Sequence, residues 1–324
     1  MADKAPHYYG GQALLEGVMM RGKDTWAVAV RRPNADIYVE THQVKGLAAR
    51  HPAFRKPFVR GIAVMGDSLS IGLRAMMIAA NQSLAEDEKL TPKQMGFTIA
   101  FAVAAFIGIF IVLPNLLGNA TNDKDTIASH LIEGAIRLGI FVGYLVLISF
   151  IREIRRVFQY HGAEHKTIAA YEAEEPVLEP AAVDKYSTLH VRCGTNFLII
   201  VVLLTVVVYS FLGRPALWLQ LLERVGMVFV LAGISYEGLR LGAAHGDNPI
   251  VRALMKPGLW LQKITTRPPD RDQIEVAIRS FEAVLPPEQR TMVAALPSPL
   301  VHGDSLGGYG DVHADDDGSG EPER

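Results

Sequence analysis

Four stretches of the chain are nearly unbroken in apolar residues, at 96–117, 133–151, 197–212 and 225–241. A helix that crosses a bilayer needs about 20 mostly apolar residues, or somewhat fewer where flanking side chains reach the interface. The first run has Pro114 and Asn115 near its end. The second carries Arg137 and is closed by Arg152. The third is free of charge, and the fourth holds Glu237 and Arg240 near its end. Uncharged runs of this length count against buried core helices of a soluble protein. Elsewhere the pattern is shorter. Residues 25–30 and 37–42 are strand-like, and the turn sequence Pro33-Asn34-Ala35-Asp36 between them predicts a hairpin. Residues 61–80 read as a helix lying at the membrane interface, with Asp67 and Arg74 on it. Residues 152–172 and 270–284 read as amphipathic helices.

The fold class this predicts is mainly α: a multi-pass membrane protein with about four transmembrane helices, cytoplasmic amphipathic helices and a small N-terminal β-hairpin. Three parts follow. Residues 1–60 form an N-terminal cytoplasmic segment with the hairpin. Residues 61–285 form a membrane domain that includes the cytoplasmic helix 152–172. Residues 286–324 form an acidic tail, whose Gly, Asp, Ser and Pro content from Pro297 onward predicts disorder.

Composition sharpens this picture. A hydrophobic share of 49% is ordinary, but the mean hydropathy of +0.18 is high for a soluble protein. The net charge of −2 marks neither a basic nucleic-acid surface nor an acidic body, so no nucleic-acid partner is expected. Cys193 is the single cysteine, which excludes an intrachain disulfide framework. Residues 1–7 have no apolar core behind them, so no secretory signal peptide is expected. Lys and Arg are unevenly placed. Residues 152–195 hold Arg152, Arg155, Arg156, Lys166, Lys185 and Arg192, and the segment after the fourth run is also basic. The connections at 118–130 and 213–217 hold only Lys124 and Arg214. The positive-inside rule then puts both termini and residues 152–195 in the cytoplasm, and the two connections outside. Cys193 is then a reduced thiol.

The chemistry concentrates at 152–172. At about 100° per residue, Ile154, Val157, Phe158, His161, Glu164, His165 and Ile168 fall within roughly 60° either side of His161. Arg152, Arg155, Arg156, Gln159 and Lys166 fall on the far side. Two imidazoles and a carboxylate therefore sit in the stripe that should be buried, where an unpartnered ionised carboxylate is expensive. A divalent metal, zinc first, resolves this. Imidazoles at i and i+4 can share one cation, and the intervening Glu164 can act as a base. The alternative is a hydrogen-bonded His pair. The string His161-Gly162-Ala163-Glu164-His165 is similar to the inverted zinc-peptidase motif H-x-x-E-H. In those peptidases a third ligand, a Glu, lies about 70 residues further on, and Glu237 stands at the matching distance here. Their soluble α/β fold is not matched. Two ligand sets stay open. His161, His165 and Glu237 leave a water position, whereas His161, His165, His190 and Cys193 close a structural site.

A second dense string, Gly10-Gly11-Gln12-Ala13-Leu14-Leu15-Glu16-Gly17-Val18-Met19-Met20-Arg21-Gly22, lacks phosphate-loop spacing. Its Glu16 either reaches the His site as an accessory carboxylate or pairs with Arg21. Three further strings matter: Arg192-Cys193-Gly194-Thr195-Asn196-Phe197, Ile234-Ser235-Tyr236-Glu237 and Leu261-Gln262-Lys263-Ile264-Thr265-Thr266-Arg267. Together with the two above, they resemble the YqhQ family of bacterial membrane proteins over residues 8–285. Val191 stands where that family usually has Pro, and the acidic tail is outside the pattern. The resemblance implies a protein of the cytoplasmic (inner) membrane and a metal-dependent enzyme. Three function classes follow. The first is a metal-dependent hydrolase of peptide or lipid-linked substrates at the cytoplasmic face. The second is a non-enzymatic factor docking on a membrane-protein partner or on a second copy of itself, with at most a structural metal. The third is a transporter, disfavoured because four spans are few and lack discontinuous helices.

Overall fold

In the computed structural model the described residues are 9–44, 46, 54, 56, 59–84, 91–121, 126–190, 193–212, 215–244 and 248–303. Residues 1–8, Lys124, Val191, Arg192, Arg214 and the acidic stretch 304–324 lie outside them, as do the readings made on those positions.

Five strands form one sheet in chain order: β1 (Gly10–Leu14), β2 (Gly17–Arg21), β3 (Thr25–Arg31), β4 (Ile37–Gln43) and β5 (Leu300–His302). The expected hairpin is its centre, β3 and β4 pairing antiparallel with Arg31 opposite Ile37. The glycine-rich string at 10–22, for which the pattern gave no element, is a second hairpin. Its two-residue turn at Leu15 and Glu16 sets Leu14 opposite Gly17, and Glu16 takes φ 53°. The segment from 286 differs from the disordered tail expected of it. Residues Pro287–Met292 form a 3-10 turn, and β5 adds parallel to β4. The Ile37 amide donates to the Pro299 carbonyl at 2.9 Å, and the Gly303 amide to Val39 at 2.8 Å.

The helices are α1 (Val59–Ser83), α2 (Pro92–Ile107), α3 (Leu113–Thr121), α4 (Ile127–Ile148), α5 (Arg152–Glu172), α6 (Pro180–Val183), α7 (Gly194–Tyr209), α8 (Leu217–Ala244), α9 (Pro249–Thr265) and α10 (Arg271–Val284). A π-helical turn, Gly108–Val112, joins α2 to α3. The chain is mainly helical, as expected, but the sheet is larger than one hairpin. Successive strand residues point to opposite faces, and both faces are covered. Val18, Met20, Ala27, Ala29, Ile37 and Val39 pack on α5 and α10. Leu14, Met19, Trp26, Val28, Val30 and Tyr38 pack on Ile71, Ala75, Ile78 and Ala79 of α1. The result is a three-layer α/β/α body.

The remaining helices are apolar outside as well as inside. Phe97, Phe101, Phe106, Leu147, Phe229 and Val230 stand exposed. Among the described residues, four helices are long and apolar enough to cross a membrane: Val59–Ser83, Gly96–Gly118, Ala128–Ile148 and Trp218–Gly242. This set differs from the sequence reading in two places. The third apolar run lies in α7, which has 16 residues and falls short on length. The 61–80 helix extends to 25 residues and qualifies, although one face of its C-terminal half is buried on the sheet. Where α4, α7 and α8 meet, Glu133 is buried with two guanidinium groups. Arg137 donates to it at 2.8 Å, and Arg224 donates from both terminal nitrogens, one at 3.2 Å. Both cations lie over the Tyr209 ring.

Candidate functional site

Three residues separate α4 from α5, so the turn at Ser149, Phe150 and Ile151 carries the chain directly from an apolar helix into the three-layer body. The helical repeat then places His161, Glu164 and His165 on one side, as the stripe predicted. The burial is wider than the stripe. Lys166, expected on the solvent side, is buried and bonded to the Asp184 carboxylate at 2.9 Å, because the loop containing α6 wraps that side of α5. Gly162 explains part of the string's wording. A Cβ there would stand 2.2 Å from the Arg267 carbonyl oxygen. The chain leaving α9 crosses α5 at this point, with the Arg267 amide donating to Phe158 at 2.9 Å.

Both imidazoles are held by backbone carbonyls. His161 Nδ1 lies 2.8 Å from the Thr265 oxygen at the end of α9, and His165 Nδ1 lies 2.5 Å from the Thr188 oxygen. A carbonyl only accepts, so Nδ1 carries the proton in each ring and Nε2 keeps its lone pair. The rings are 4.4 Å apart, centroid to centroid. Cys193, the N-cap of α7, sets its Sγ 3.2 Å from His161 Nε2, and the Thr195 amide donates to that sulfur at 3.4 Å. One ring nitrogen of each histidine and Cys193 Sγ all lie within 4.8 Å of one another. Donors on a tetrahedral zinc stand roughly 3.4–3.8 Å apart, given bonds of about 2.0–2.3 Å. The His161–Cys193 pair is already near that spacing. Thiolate and imidazole donors suit zinc, and the carbonyl hold on each Nδ1 is the arrangement that orients ligating histidines.

The other sequence-selected residues divide. Glu164 is at the site and almost completely buried. Burial pushes its carboxyl up to about 7, against the opposing influence of His161 and of the Gly11 amide that donates to it. Burial likewise holds His165 well below the usual imidazole range, lowers His190, and pushes the Cys193 thiol up to about 11. His190 is adjacent, its ring 5.6 Å from that of His165, but its Nε2 is 3.3 Å from the Glu172 carboxylate. Glu237 is elsewhere. It forms a two-pronged ion pair with Arg60 of α1, one bond being 2.7 Å. Glu16 is also elsewhere, and it does not pair with Arg21. Arg156 holds it from two nitrogens, and the Tyr160 hydroxyl donates to it at 3.2 Å. Neither carboxylate could have been placed from sequence, because Arg60 and Arg156 are 177 and 140 residues away from their partners.

A cavity of about 380 Å³ opens over the cluster. Gly10, Gly11, Gln12 and Ala13 of β1 form one wall, and His161, Glu164, His165, Cys193 and Thr265 form much of the rest. Sequence reasoning missed the β1 wall and the carbonyls of Thr188 and Thr265. The site is therefore built from five elements, one apolar stripe carrying the chemistry and four others closing around it.

The model of the family described as "Protein of unknown function (DUF1385)" matches residues 56–287. That range contains every member of the His/Cys cluster but not β1. The chain is also 34% identical over 298 residues to "Uncharacterized protein YqhQ" of Bacillus subtilis (strain 168), covering 87% of this chain and 93% of that relative. No solved structure matches the chain.

Proposed function

The chain belongs to the DUF1385 family, and on that premise we propose that it is a metal-dependent hydrolase at the cytoplasmic face of the cytoplasmic membrane. His161, His165 and Cys193 hold one divalent metal, zinc first, and the substrate is a peptide or a lipid-linked group. The observation that carries this reading is the pairing of each imidazole Nδ1 with a backbone carbonyl beside a third donor, Cys193. Cys193 takes the place that the motif spacing suggested for Glu237. A divalent metal so held supplies Lewis-acid activation of water or of the substrate's acyl or phosphoryl oxygen. Glu164, facing the same cavity, takes the proton of the attacking water and passes it to the leaving group. The exposed apolar helices and the Lys/Arg asymmetry support the membrane placement and the cytoplasmic orientation.

A structural metal in a docking factor is the competing reading. It needs His190 as a fourth ligand, and the Glu172 contact draws that imidazole away. Elemental analysis of full-length protein, purified without chelators and then incubated with zinc, tests both. We expect about one zinc per chain. H161A, H165A and C193S should each lose it, while E164Q, E237Q and H190A keep it. Wild-type protein that takes up no zinc ends the reading. Loss of zinc in H190A as well as C193S converts it to a closed structural site.

A further inference from the structure

Strand β1 is the edge of the sheet, and it runs along the cavity that holds the His/Cys cluster. Its hydrogen-bonding register can be read from its turn. In a two-residue hairpin the residues flanking the turn, Leu14 and Gly17, form a hydrogen-bonded pair, and such pairs recur at every second residue. Gly10, Gln12 and Leu14 therefore bond β2, while Gly11 and Ala13 direct their N–H and C=O groups away from it. The Gly11 amide confirms the direction, because it donates to Glu164 rather than to β2. Among the described residues, nothing else takes the Gly11 carbonyl or the Ala13 N–H and carbonyl. Gly10 and Gly11 are exposed and have no side chains to screen this edge. An unpaired edge that can be approached is a template for an added strand.

We infer that the substrate of this site is an extended polypeptide, bound by strand addition to the free edge of β1 at Ala13 and Gly11. This rests on the proposed hydrolase reading and narrows it from peptide or lipid-linked group to peptide. The rail ends where Glu164 meets Gly11, so a peptide bond carried along it arrives beside His161, His165 and Cys193. The main-chain bonds supply affinity and positioning without demanding particular side chains. A charge preference comes from the next wall. Tyr9 lines this cavity and also a larger cleft of about 1350 Å³. That cleft carries Asp24, Glu172, Glu174, Glu175 and Glu288 against only Lys23 and Arg290. The polypeptide that continues past Gly10 into it is a basic one.

The test uses full-length protein in lipid nanodiscs, loaded with zinc. The probe is a fluorescein-labelled decapeptide pool randomised over Val, Ser, Thr and Lys, with binding read by anisotropy. The pool should bind. The same pool with every backbone amide methylated, which keeps side chains and charge, should bind about tenfold more weakly or worse. Replacing Lys by Glu should weaken it similarly. A13P removes an outward N–H that β2 does not use, so it should lower binding about tenfold while zinc content and melting temperature stay at wild-type values. No binding by wild-type protein, or binding indifferent to amide methylation, overturns the inference. If A13P loses zinc or unfolds, the methylated pool decides alone. Zinc retention separates the outcomes: a zinc-loaded protein without peptide binding refutes the rail and leaves the metal reading standing.

Discussion

Gly162 sits between His161 and Glu164, and its missing side chain is what lets the chain after α9 cross α5. The Arg267 carbonyl that would meet a Cβ at 2.2 Å is backbone, so a rotamer change cannot relieve the clash. G162A should therefore destabilise the protein by roughly 1–3 kcal/mol, the usual cost of overpacking. The measurement is thermal unfolding with zinc content followed in parallel. Because the crossing also carries Thr265, which holds His161, zinc should be lost at lower temperature than in wild-type protein. An unchanged melting temperature would mean that α5 and α9 are not held this closely. The same residues show what the sequence could and could not tell. Two imidazoles and a carboxylate in an apolar stripe were legible, because helical periodicity alone puts them on one buried face. Glu237 was misplaced because its distance along the chain matched another fold's ligand spacing. Its actual partner, Arg60, is set by how α1 packs on α8, and no local pattern records that.

Elements were legible in proportion to their length and regularity. The hairpin at 25–43 has seven-residue strands and a Pro-Asn-containing turn. β1 and β2 have five residues each, several of them glycine or consecutive apolar residues, so neither alternation nor propensity marked them. β5 has three residues, too few for any period, and it exists because the exposed edge of β4 accepts it. Its anchorage is specific. The Ser298 amide and hydroxyl both donate to Glu275 at 2.9 Å, and Arg31 donates to the same carboxylate at 3.0 Å. A chain ending at Ala295 should thus melt several degrees below one ending at Gly303, because only the first lacks β5 and the Ser298 bonds. Equal melting temperatures would show that β5 contributes nothing to the sheet. Between the apolar helices the comparable joint is Glu133 with Arg137 and Arg224. E133A leaves two buried cations without their counter-charge and should cost about 3–5 kcal/mol, read as loss of detergent-resistant folded protein. A variant as stable as wild type would show that the guanidinium groups find other acceptors.

At the scale of the whole molecule, the sheet limits how the chain can cross a membrane. Residues 10–43, α5, α10 and β5 belong to one packed body, and a sheet flanked by polar loops stays on one side of a bilayer. On the proposed membrane placement, the chain must then cross an even number of times between β4 and α5, and again between α5 and α10. Among the described residues, the first interval offers three helices of sufficient length: α1, Gly96–Gly118 and Ala128–Ile148. If two of them cross, α1 is the one that does not, because Ile71, Ala75, Ile78 and Ala79 are buried on the sheet. In the second interval Trp218–Gly242 needs a partner. Helix α7 is uncharged and exposes Leu198, Leu203 and Val207, so it meets that need although 16 residues span only about 24 Å of a hydrocarbon layer of about 30 Å. Local thinning of the bilayer accommodates the difference at modest cost. With the sheet on the proposed cytoplasmic side, K124C and R214C should react with a membrane-impermeant maleimide added to intact cells, while K89C and K263C should react only after permeabilisation. Labelling of K89C in intact cells would put α1 across the membrane and break the parity. Protection of R214C would remove α7 as a span, and with it the placement of α5 and α10 on the same side.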